Sequence, residues 1–480
     1  MEKTENNLTA IKKLYYKMNF SELKINFSEA VKGTDRDYTS GSLRKAIILL
    51  SIPMVLEMVF ESIFAVVDIY FVSKIGANAV AFVGITESML TIVYSLAWGL
   101  STATSAVVSR RIGEKNTIAA SNAAFQAILT GLGLSLFIAI PGFIFASDML
   151  KIMGLSAKIA SEYSGYTAIM LGANSVIMLL FVINAVFRSA GDAAVSMKVL
   201  WLANIINIIL DPCLIFGLGP FPELGIKGAA IATTTGRSVA VVLQIYILFY
   251  GNKRVKFKLS DLKPDLKVIK DIIILSLGTV GQNIIATSSW IGLVRIVSAF
   301  GSEVVAGYTI AIRIIIFSLL PSWGISNAAS TLVGQNLGAK KPERAEESVW
   351  VTAKANAILM AVIGFVFVLI PESLVSLLTS DIGVIQKGGE ALRIISYGFI
   401  AYGPGMVLVH SINGAGDTNT PTKINIFCYW LLEIPLAYLL AMSLNLGEQG
   451  VFYAIVISEI AMTVTAGLVF RKGKWKERVV

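Results

Sequence analysis

The sequence predicts an all-α membrane protein with twelve transmembrane helices in two six-helix bundles, related by a pseudo-two-fold axis along the membrane normal. Three observations support this prediction. Of the 480 residues, 55% are hydrophobic and 15% are charged, whereas soluble domains have about 25% charged residues. Apolar runs of about 20 residues, the length that crosses a bilayer, recur along the whole chain. The second half also repeats the first at a constant offset.

The apolar runs number twelve, and segments rich in Gly, Pro and charge separate them. Segment 217–222, Gly-Leu-Gly-Pro-Phe-Pro, is one such separator, because both residue types interrupt helices. Each run is long enough to cross the hydrocarbon core as one helix. Spans 1 to 12 are predicted at 45–73, 79–108, 119–147, 161–187, 194–217, 227–250, 269–299, 303–333, 345–370, 386–411, 419–443 and 449–470.

Basic residues are unevenly distributed between the two sets of connections. Lys and Arg concentrate after the even-numbered spans, where Arg188 is placed, and in the tail 471–480, but are scarce in the opposite connections. The positive-inside rule therefore predicts a multi-pass protein of the cell membrane with both termini in the cytoplasm. The net charge of +9 follows from this distribution, so we expect no nucleic-acid partner.

The polar first segment predicts a cytoplasmic leader, because it lacks the apolar core of a signal peptide. Within it, residues 8–18 are expected either to lie as a basic amphipathic helix on the inner membrane surface or to be a frayed, solvated segment. The predicted organisation is a leader at 1–44, an N-terminal bundle at 45–250, a basic linker at 251–268, a C-terminal bundle at 269–470 and a basic tail at 471–480.

Several function classes lack their characteristic residues. Cys213 and Cys428 lie inside apolar runs, and His410 ends an apolar span with no second ligand nearby. This pattern predicts packing roles for the cysteines and no metal centre of the zinc type. The sequence has no P-loop, so ATP is not expected to be the direct energy source. A membrane-embedded enzyme is disfavoured, because no nucleophile–histidine pair is visible.

An offset of 225 residues aligns the chain with itself. Segments and single glycines match without a gap over the first spans of each half. Because each copy has six spans, both copies share one orientation, and an axis along the membrane normal relates such parallel repeats with the substrate path between them. The matched pairs are Leu50–Glu57 with Leu275–Gln282, Gly76 with Gly301, Trp98-Gly99 with Trp323-Gly324, Gly113 with Gly338, and Ala190–Asp192 with Ala415–Asp417.

Several segments resemble the multidrug and toxic compound extrusion (MATE) family through their order, spacing and duplication. The resemblance implies a V-shaped pair of bundles that exports chemically varied, often cationic, lipophilic compounds, driven by protons or sodium ions. The matching segments are Gly41-Ser-Leu43, Ile52-Pro53, Val67–Val72 with the following Gly76, Val108–Gly113, Phe187–Asp192, Asn207–Pro212, Gly228–Thr233 and Val333–Ala339.

One branch of that family carries a glutamate early in helix 7. The aligned residue in this chain is Gln282. This departure resembles the branch, archaeal members included, whose coupling site lies in the N-terminal half.

Charged residues inside the predicted spans also indicate a coupling site in the N-terminal half, independently of the family resemblance. Span 1 carries Glu57, Glu61 and Asp68, and span 5 carries Asp211. An ionisable group at a helix centre costs about 2.5–3.5 kcal/mol on insertion scales, so an unpaired one suggests function. Arg237 in span 6 is the only intramembrane base that the sequence places near these acids. We therefore expect protons or a bound cation to neutralise them.

Span counting places four polar residues in one layer of the outer half of the bilayer. Asp68, Asp211, Thr233 and Tyr166 each lie about five or six residues from the outer end of their span, at 1.5 Å per residue. Asn207 precedes Asp211 by four residues and shares its helix face. Carboxylate, amide and hydroxyl oxygens suit Na⁺ as well as a proton. The alternative is that the acids only hydrogen-bond to neighbouring helices.

The family resemblance implies roles for these residues. It places the coupling cation, H⁺ or Na⁺, at Asp68, Asn207, Asp211 and Thr233. Its pore-lining, substrate-binding roles fall on the two residues Glu61 and Tyr166. No other cofactor or metal is implied.

Pro53 and Pro212 interrupt spans 1 and 5. Proline removes a backbone donor and kinks a helix, and transporters use such breaks near their sites. A bend at Pro53 would move Asp68 relative to span 5. A static kink is the alternative.

The C-terminal spans carry charges of both signs. Their rough balance predicts internal ion pairs that hold the bundle together, with contact to an anionic substrate as the second possibility. The residues are Arg295, Arg313, Lys354, Arg393, Glu433 and Glu459.

The resulting hypothesis is a monomeric antiporter, embedded in membrane lipid, that exchanges H⁺ or Na⁺ for a small organic compound by alternating access. The alternative is a flippase of lipid-linked precursors or oligosaccharides from the same superfamily. Such flippases favour a cationic cavity and additional helices, whereas this site is acidic and the spans number twelve.

Overall fold

The computed structural model describes residues 20–34, 36–251, 253–258, 260 and 262–480. Helices make up almost all of this part of the chain, and it contains no β-strand. Eleven of its helices are long and apolar enough to cross a membrane, and one bent pair makes a twelfth span. The predicted all-α fold with twelve spans is therefore confirmed. The amphipathic segment predicted at 8–18 lies outside the described residues.

The described part of the first half contains six membrane-length helices, whose bounds lie within a few residues of the predicted spans, and the short helices Phe20–Lys32 and Ala146–Ile152. The membrane-length helices are α1 (Leu43–Ser73), α2 (Ala77–Gly113), α3 (Thr117–Ile144), α4 (Ala157–Gly172 continued by Asn174–Ala190), α5 (Ala193–Phe216) and α6 (Ile226–Tyr250). The end of α2 differs most, because this helix continues past residue 108 through two arginines. Hydropathy marks only the part of a helix in hydrocarbon, whereas the hydrogen-bond ladder continues beyond it.

The second half repeats this arrangement with two irregular helices. Its helices are α7 (Leu266–Val297), α8 (Ser302–Gly338), α9 (Pro342–Leu369), α10 (Ile382–Ser396 and Phe399–Gly414), α11 (Asn419–Ser443) and α12 (Glu448–Arg471). The two parts of α10 meet at 59°. In α11, π-helical turns lie on both sides of Pro435. Proline cannot donate to the ladder, and wider turns of this kind often occur at functional sites.

The two prolines singled out in the first half lie inside continuous helices. α1 runs on through Pro53, and α5 runs on through Pro212. Each proline removes one backbone donor, yet neither ends its helix. Their roles as moving kinks stay predictions.

The two halves form separate lobes, each with its own hydrophobic core. Leu100 and Met178 are buried in the first core, and Met360 and Phe452 are buried in the second. The lobes meet where helix backbones approach closely. At Gly324 of α8 an added Cβ would lie 2.8 Å from the carbonyl oxygen of Met54 in α1, so this contact requires glycine.

The lobes are pressed together on one side of the molecule. We define the terminal face as the side that carries the ends of α2 and α8 and the tail 471–480, and the distal face as the opposite side. At the terminal face Gly113 of α2 packs on the backbone of Gln335 in α8, and Gly338 packs on the backbone of Arg110. Side chains cannot be added there without moving a helix.

The segment before α1 and the tail 471–480 make further contacts across the terminal face. The hydroxyl of Tyr38 donates to the carbonyl of Gly191 in the first lobe at 3.4 Å, and Arg344 of the second lobe donates to the carbonyl of Tyr38 at 3.2 Å. Arg111 of the first lobe donates to the carbonyl of Val480 at 2.9 Å. In this conformation the lobes are therefore tied together at the terminal face.

Candidate functional site

The distal half of α5 carries a stripe of buried polar side chains. Asn204, Asn207 and Asp211 follow one another at spacings of three and four residues, which places them on one side of the helix, and all three are buried. Asn207 Nδ2 donates to Asp211 Oδ1 at 3.4 Å and to Thr233 Oγ1 of α6 at 3.0 Å. The structure thus brings three of the four residues of the predicted cation site into contact.

A glycine allows α6 to approach α5 at this point. A Cβ added at Gly236 would lie 2.5 Å from the carbonyl oxygen of Ala203, and Thr233 precedes this glycine by about one turn. Within the described residues, Asn207 Oδ1 and Asp211 Oδ2 are buried without a hydrogen-bond partner. Because nearly all buried polar atoms in native proteins are satisfied, these two oxygens mark a place for a further donor or a cation.

Asp68, the fourth residue of the predicted site, lies near the distal end of α1 and is half-buried. Its carboxylate and that of Asp211 are close enough to interact electrostatically. In the described part of the chain, no hydrogen bond or ion pair holds the Asp68 side chain. Two carboxylates from different helices therefore face one region.

Glu87 of α2 belongs to the same region, and the sequence analysis missed it. Its charge acts on Asp68, and its side chain is exposed. The available signal was its position inside predicted span 2, because an ionisable residue within a span is a functional candidate. The prediction considered only the acids of spans 1 and 5 and therefore did not include Glu87.

Arg237 of α6 supplies positive charge to this layer. One of its terminal nitrogens lies 3.7 Å from Glu61 Oε1, and the other donates to the hydroxyl of Tyr94 at 3.3 Å. Asn204 Nδ2 donates to Glu61 Oε2 at 3.2 Å. Glu61 is therefore charge-paired, and its predicted substrate contact would have to compete with Arg237. The carboxylates of Glu61, Asp68 and Glu87 interact with this guanidinium, and Asp211 interacts in turn with Asp68.

Glu57, deeper in α1, belongs to a separate ion pair. Its Oε1 lies 2.8 Å from Arg188 and accepts a hydrogen bond from Asn184 at 3.4 Å. The prediction that placed Arg188 in a connection is wrong, because α4 continues to Ala190 and buries this side chain. Arg237 is therefore not the only intramembrane base of the first half. For Glu57, the alternative of contact with neighbouring helices is what the structure shows.

Tyr166 lies in the first part of α4, in the same layer as the acids. It is buried, and its ring packs edge-on against Phe82 with centroids 6.1 Å apart. The charges of Glu87 and Asp68 act on its hydroxyl. Its predicted contact with substrate stays a prediction.

The positions of the second lobe that the repeat aligns with Glu57 and Arg188 carry two amides. Gln282 of α7 and Asn413 of α10 exchange two hydrogen bonds, each 3.1 Å long, and Gln282 also donates to the carbonyl of Thr418 at 3.1 Å. The side chain at 282 is thus neutral and satisfied. It offers no titratable group for coupling.

The predicted ion pairs of the second lobe are mostly wrong. Arg393 lies 2.8 Å from Glu372. In the described part of the chain, none of the other five charged residues has an opposite charge within 4.0 Å. The three cations Arg295, Arg313 and Lys354 are exposed, whereas Glu433 and Glu459 are buried. Charge balance along a sequence does not reveal which face of a helix each side chain occupies.

Comparison with known proteins agrees with this architecture. The MatE family model matches residues 53–213 and 279–439. A probable multidrug resistance protein NorM from Thermotoga maritima is 28% identical over 446 residues, which cover 91% of this chain and 94% of that protein. A FAD transporter from Shewanella oneidensis is 26% identical, over 88% of this chain and 94% of its own length.

A solved structure provides the corresponding comparison of folds. It is described as an outward-facing conformation of a multidrug resistance MATE family transporter of the MOP superfamily. It matches with a TM-score of 0.85 at 26% identity, over 92% of this chain and 98% of that chain. The family model covers more than half of the sequence and recognises both copies of the repeat. This chain is therefore a member of the MatE family, a family of membrane transporters and not of enzymes.

Proposed function

We propose that this chain is a secondary active exporter that exchanges H⁺ or Na⁺ for organic, often cationic and lipophilic compounds. The observation that carries the proposal is the excess of acid in the distal half of the first lobe, where four carboxylates and the single guanidinium of Arg237 form one group linked by electrostatic interactions. The name of the Thermotoga relative supports an organic substrate. In this proposal the chain lies in the cell membrane with its terminal face in the cytoplasm.

The coupling ion binds at Asp68, Asn207, Asp211 and Thr233. Two observations support this assignment: the unpartnered oxygens of Asn207 and Asp211, and the electrostatic contact between Asp68 and Asp211. Buried carboxylates that lack a counter-charge take up a proton or a cation rather than stay ionised alone. Binding at this place would draw α1 and α5 together.

A proton and Na⁺ would use different atoms of this site. A proton on Asp211 Oδ2 leaves every hydrogen bond of Asn207 in place. Na⁺ takes oxygen ligands, and the unpartnered oxygens of Asn207 and Asp211 are ligands of this kind.

The closed terminal face supports alternating access as the proposed mechanism. The contacts of Gly113 and Gly338 hold the lobes together on that side, so the acids of the first lobe are reached from the distal side. Ion binding there, followed by separation of the lobes at the terminal face, would complete one half of the cycle. Rocking of two parallel repeats about the site between them is the expected motion.

The flippase alternative has less support. An anionic lipid-linked precursor would meet the acids of the first lobe and be repelled. The Shewanella relative named as a FAD transporter shows that relatives of this chain are not restricted to cations. Arg237 and Arg188 offer positive charge inside the part of the first lobe that the structure describes, and both already pair with glutamates.

The test is transport in proteoliposomes that contain the full chain, with a pH gradient and a Na⁺ gradient imposed separately. Efflux of ethidium is followed by its fluorescence. We expect wild-type protein to move ethidium under one of the two gradients and protein-free vesicles to move none. Transport under neither gradient, or transport that persists when both are collapsed, would contradict the proposal.

A further inference from the structure

The second lobe contains a cavity of about 640 Å³, a volume within the range of sites that hold drug-sized ligands. It lies among α7, α8, α10, α11 and α12, and α2 of the first lobe closes one side. Large aromatic rings dominate its wall. These rings include Trp98, Trp290, Trp323, Tyr402 and Tyr429.

Two buried glutamates face this cavity. Glu433 of α11 is 4% exposed and Glu459 of α12 is 8% exposed, and both line the cavity. Ser289 donates to Glu433 at 2.7 Å, and the hydroxyl of Tyr429 donates to Glu459 Oε1 at 3.2 Å. Within the described residues, Glu459 Oε2 has no hydrogen-bond partner. One carboxylate oxygen is therefore buried and unsatisfied in a residue that lines the cavity.

The negative charge on this wall has no protein counter-charge. The described residues that line the cavity include no Lys or Arg, and His410 is the single basic side chain among them. Neither glutamate has a Lys or Arg nitrogen within 4.0 Å, again among the described residues. The two acids also interact with each other. Because an isolated buried carboxylate is costly, the site favours a bound cation.

Helix α11 presents a row of polar side chains to the cavity. Asn425, Tyr429 and Glu433 are four residues apart, and all three line the cavity. Residues at this spacing lie on one face of a helix. The stretch Ile426–Glu433 is π-helical, a form that often occurs at functional sites.

We infer that this cavity binds a planar organic cation, with Glu459 as the first counter-ion and Glu433 as the second. The inference rests on the proposed function, since it locates the substrate site of the exporter. A cation beside Tyr and Trp rings gains cation–π attraction, which is strongest when water is excluded. The cavity supplies both the rings and the acids. In the first lobe, by contrast, Arg237 already neutralises Glu61.

This assignment separates the two ligands of the transporter. The first lobe holds the coupling ion in a small oxygen site, and the second lobe holds the substrate in a large aromatic one. The two sites are on different helices, α1 and α5 against α11 and α12. Substrate affinity and ion coupling should therefore respond to different substitutions.

The test measures binding, independently of transport. Ethidium is titrated against the purified full chain in detergent, and its fluorescence anisotropy gives the dissociation constant. Glu459→Gln keeps the shape of the side chain and removes its charge. We expect it to weaken ethidium binding by about tenfold or more, as loss of a desolvated counter-charge does. Glu433→Gln should weaken binding by a smaller factor, and Glu303→Gln, an exposed acid of the same lobe, should leave it unchanged.

Folding is checked with the same samples by elution as a single monodisperse species. Unchanged affinity in the Glu433→Gln/Glu459→Gln double variant would overturn the inference, as would an equal loss of affinity in Glu303→Gln or no binding by wild type. If ethidium binding responds to the substitutions as expected but ion-driven efflux fails, the proposed exporter function is rejected and the binding site is not.

Discussion

Trp98 and Trp323, equivalent residues of the two repeats, contact each other across the lobe boundary with ring centroids 5.3 Å apart and planes inclined by 64°. Edge-to-face contact of this kind is favourable for aromatic pairs. Both rings line the second-lobe cavity. On the terminal side of Trp98 lies a small polar space bounded by Ser101, Ser105 and Arg188. The pair thus separates the cavity from the terminal half of the interface.

Removal of one ring should open this barrier. We expect Trp98→Ala to make a cysteine at Ser105 react several-fold faster with a charged maleimide added from the distal side. Position 105 lies about two turns beyond Trp98 toward the terminal face. The measurement is the labelling rate in reconstituted protein in which Cys213 and Cys428 are replaced by alanine.

Trp290 provides the matched control for this experiment. It lines the same cavity but is 41% exposed and takes no part in the contact across the lobes. Trp290→Ala should therefore leave the labelling of the cysteine at 105 unchanged. Equal acceleration by both substitutions would show that cavity size, and not the tryptophan pair, controls access.

Asp68→Asn should abolish coupled efflux while the protein remains folded. The substitution removes the titratable charge and keeps the shape of a half-buried side chain that makes no hydrogen bond within the described residues. Efflux of ethidium under the effective gradient is measured in proteoliposomes and compared with the level of folded protein. Wild-type rates in the variant would remove Asp68 from the coupling site.

The pair Glu57–Arg188 should act on stability. Removing one partner of a buried pair leaves an uncompensated charge and typically costs about 3–5 kcal/mol. Glu57→Gln is therefore expected to lower the free energy of unfolding and the thermal midpoint in detergent. The double variant Glu57→Gln/Arg188→Gln should recover part of the loss, because it leaves no unpaired charge. A single variant as stable as wild type would show that the hydrogen bond to Ser101 suffices for Arg188.

The short helix Phe20–Lys32, which precedes α1, should dock in a pH-dependent manner. Its Glu29 lies 2.8 Å from Lys45 and 2.5 Å from Arg36. The hydrogen bond from Lys45, aided by Arg36 and opposed by burial, holds the pKa of Glu29 below its ordinary value. A lowered pKa stabilises docking above the ordinary carboxyl value of about 4.3, and this contribution disappears as the pH falls through the lower, docked value.

A spin label at the exposed Lys24 position measures this docking. The label should be restrained at neutral pH and become more mobile as the pH is lowered below about 4. In Glu29→Gln the label should be more mobile at neutral pH and show no such step. A step that persists in Glu29→Gln would assign the pH dependence to another carboxyl group, such as Asp37.

The fold could be predicted because bilayer composition and the repeat are properties of the sequence itself. The bounds of α11 and α12 were predicted to within one residue. The π-helical turns of α11 were not predicted, since they depend on how Pro435 and the neighbouring helices satisfy the backbone. The position of Arg188 was wrong for a related reason: a helix continues beyond its apolar run, and hydropathy does not show where it ends.

The candidate site was predicted only where local spacing determines it. Asn207 and Asp211 share a face because four residues separate them, and Thr233 meets them through the close approach at Gly236. Contacts between helices far apart in the sequence could not be predicted from local spacing. The pairing of Glu61 with Arg237 and the isolation of Glu459 both depend on helix rotation, which a single sequence does not fix. Glu87 was within reach of the sequence and was overlooked.

The final prediction concerns whether Asp68 and Asp211 act jointly. The two carboxylates interact electrostatically from α1 and α5, and Asp211 keeps one unpartnered oxygen among the described residues. If they share one ion, Asp68→Asn and Asp211→Asn should each remove most of the coupled efflux, and the double variant should lose little more, because residues that act as a unit are non-additive. If each binds its own proton, the single variants should keep partial coupling and their losses should compound. Rates of ethidium efflux across a range of pH for the three variants separate these cases, and independent effects would reject the shared site.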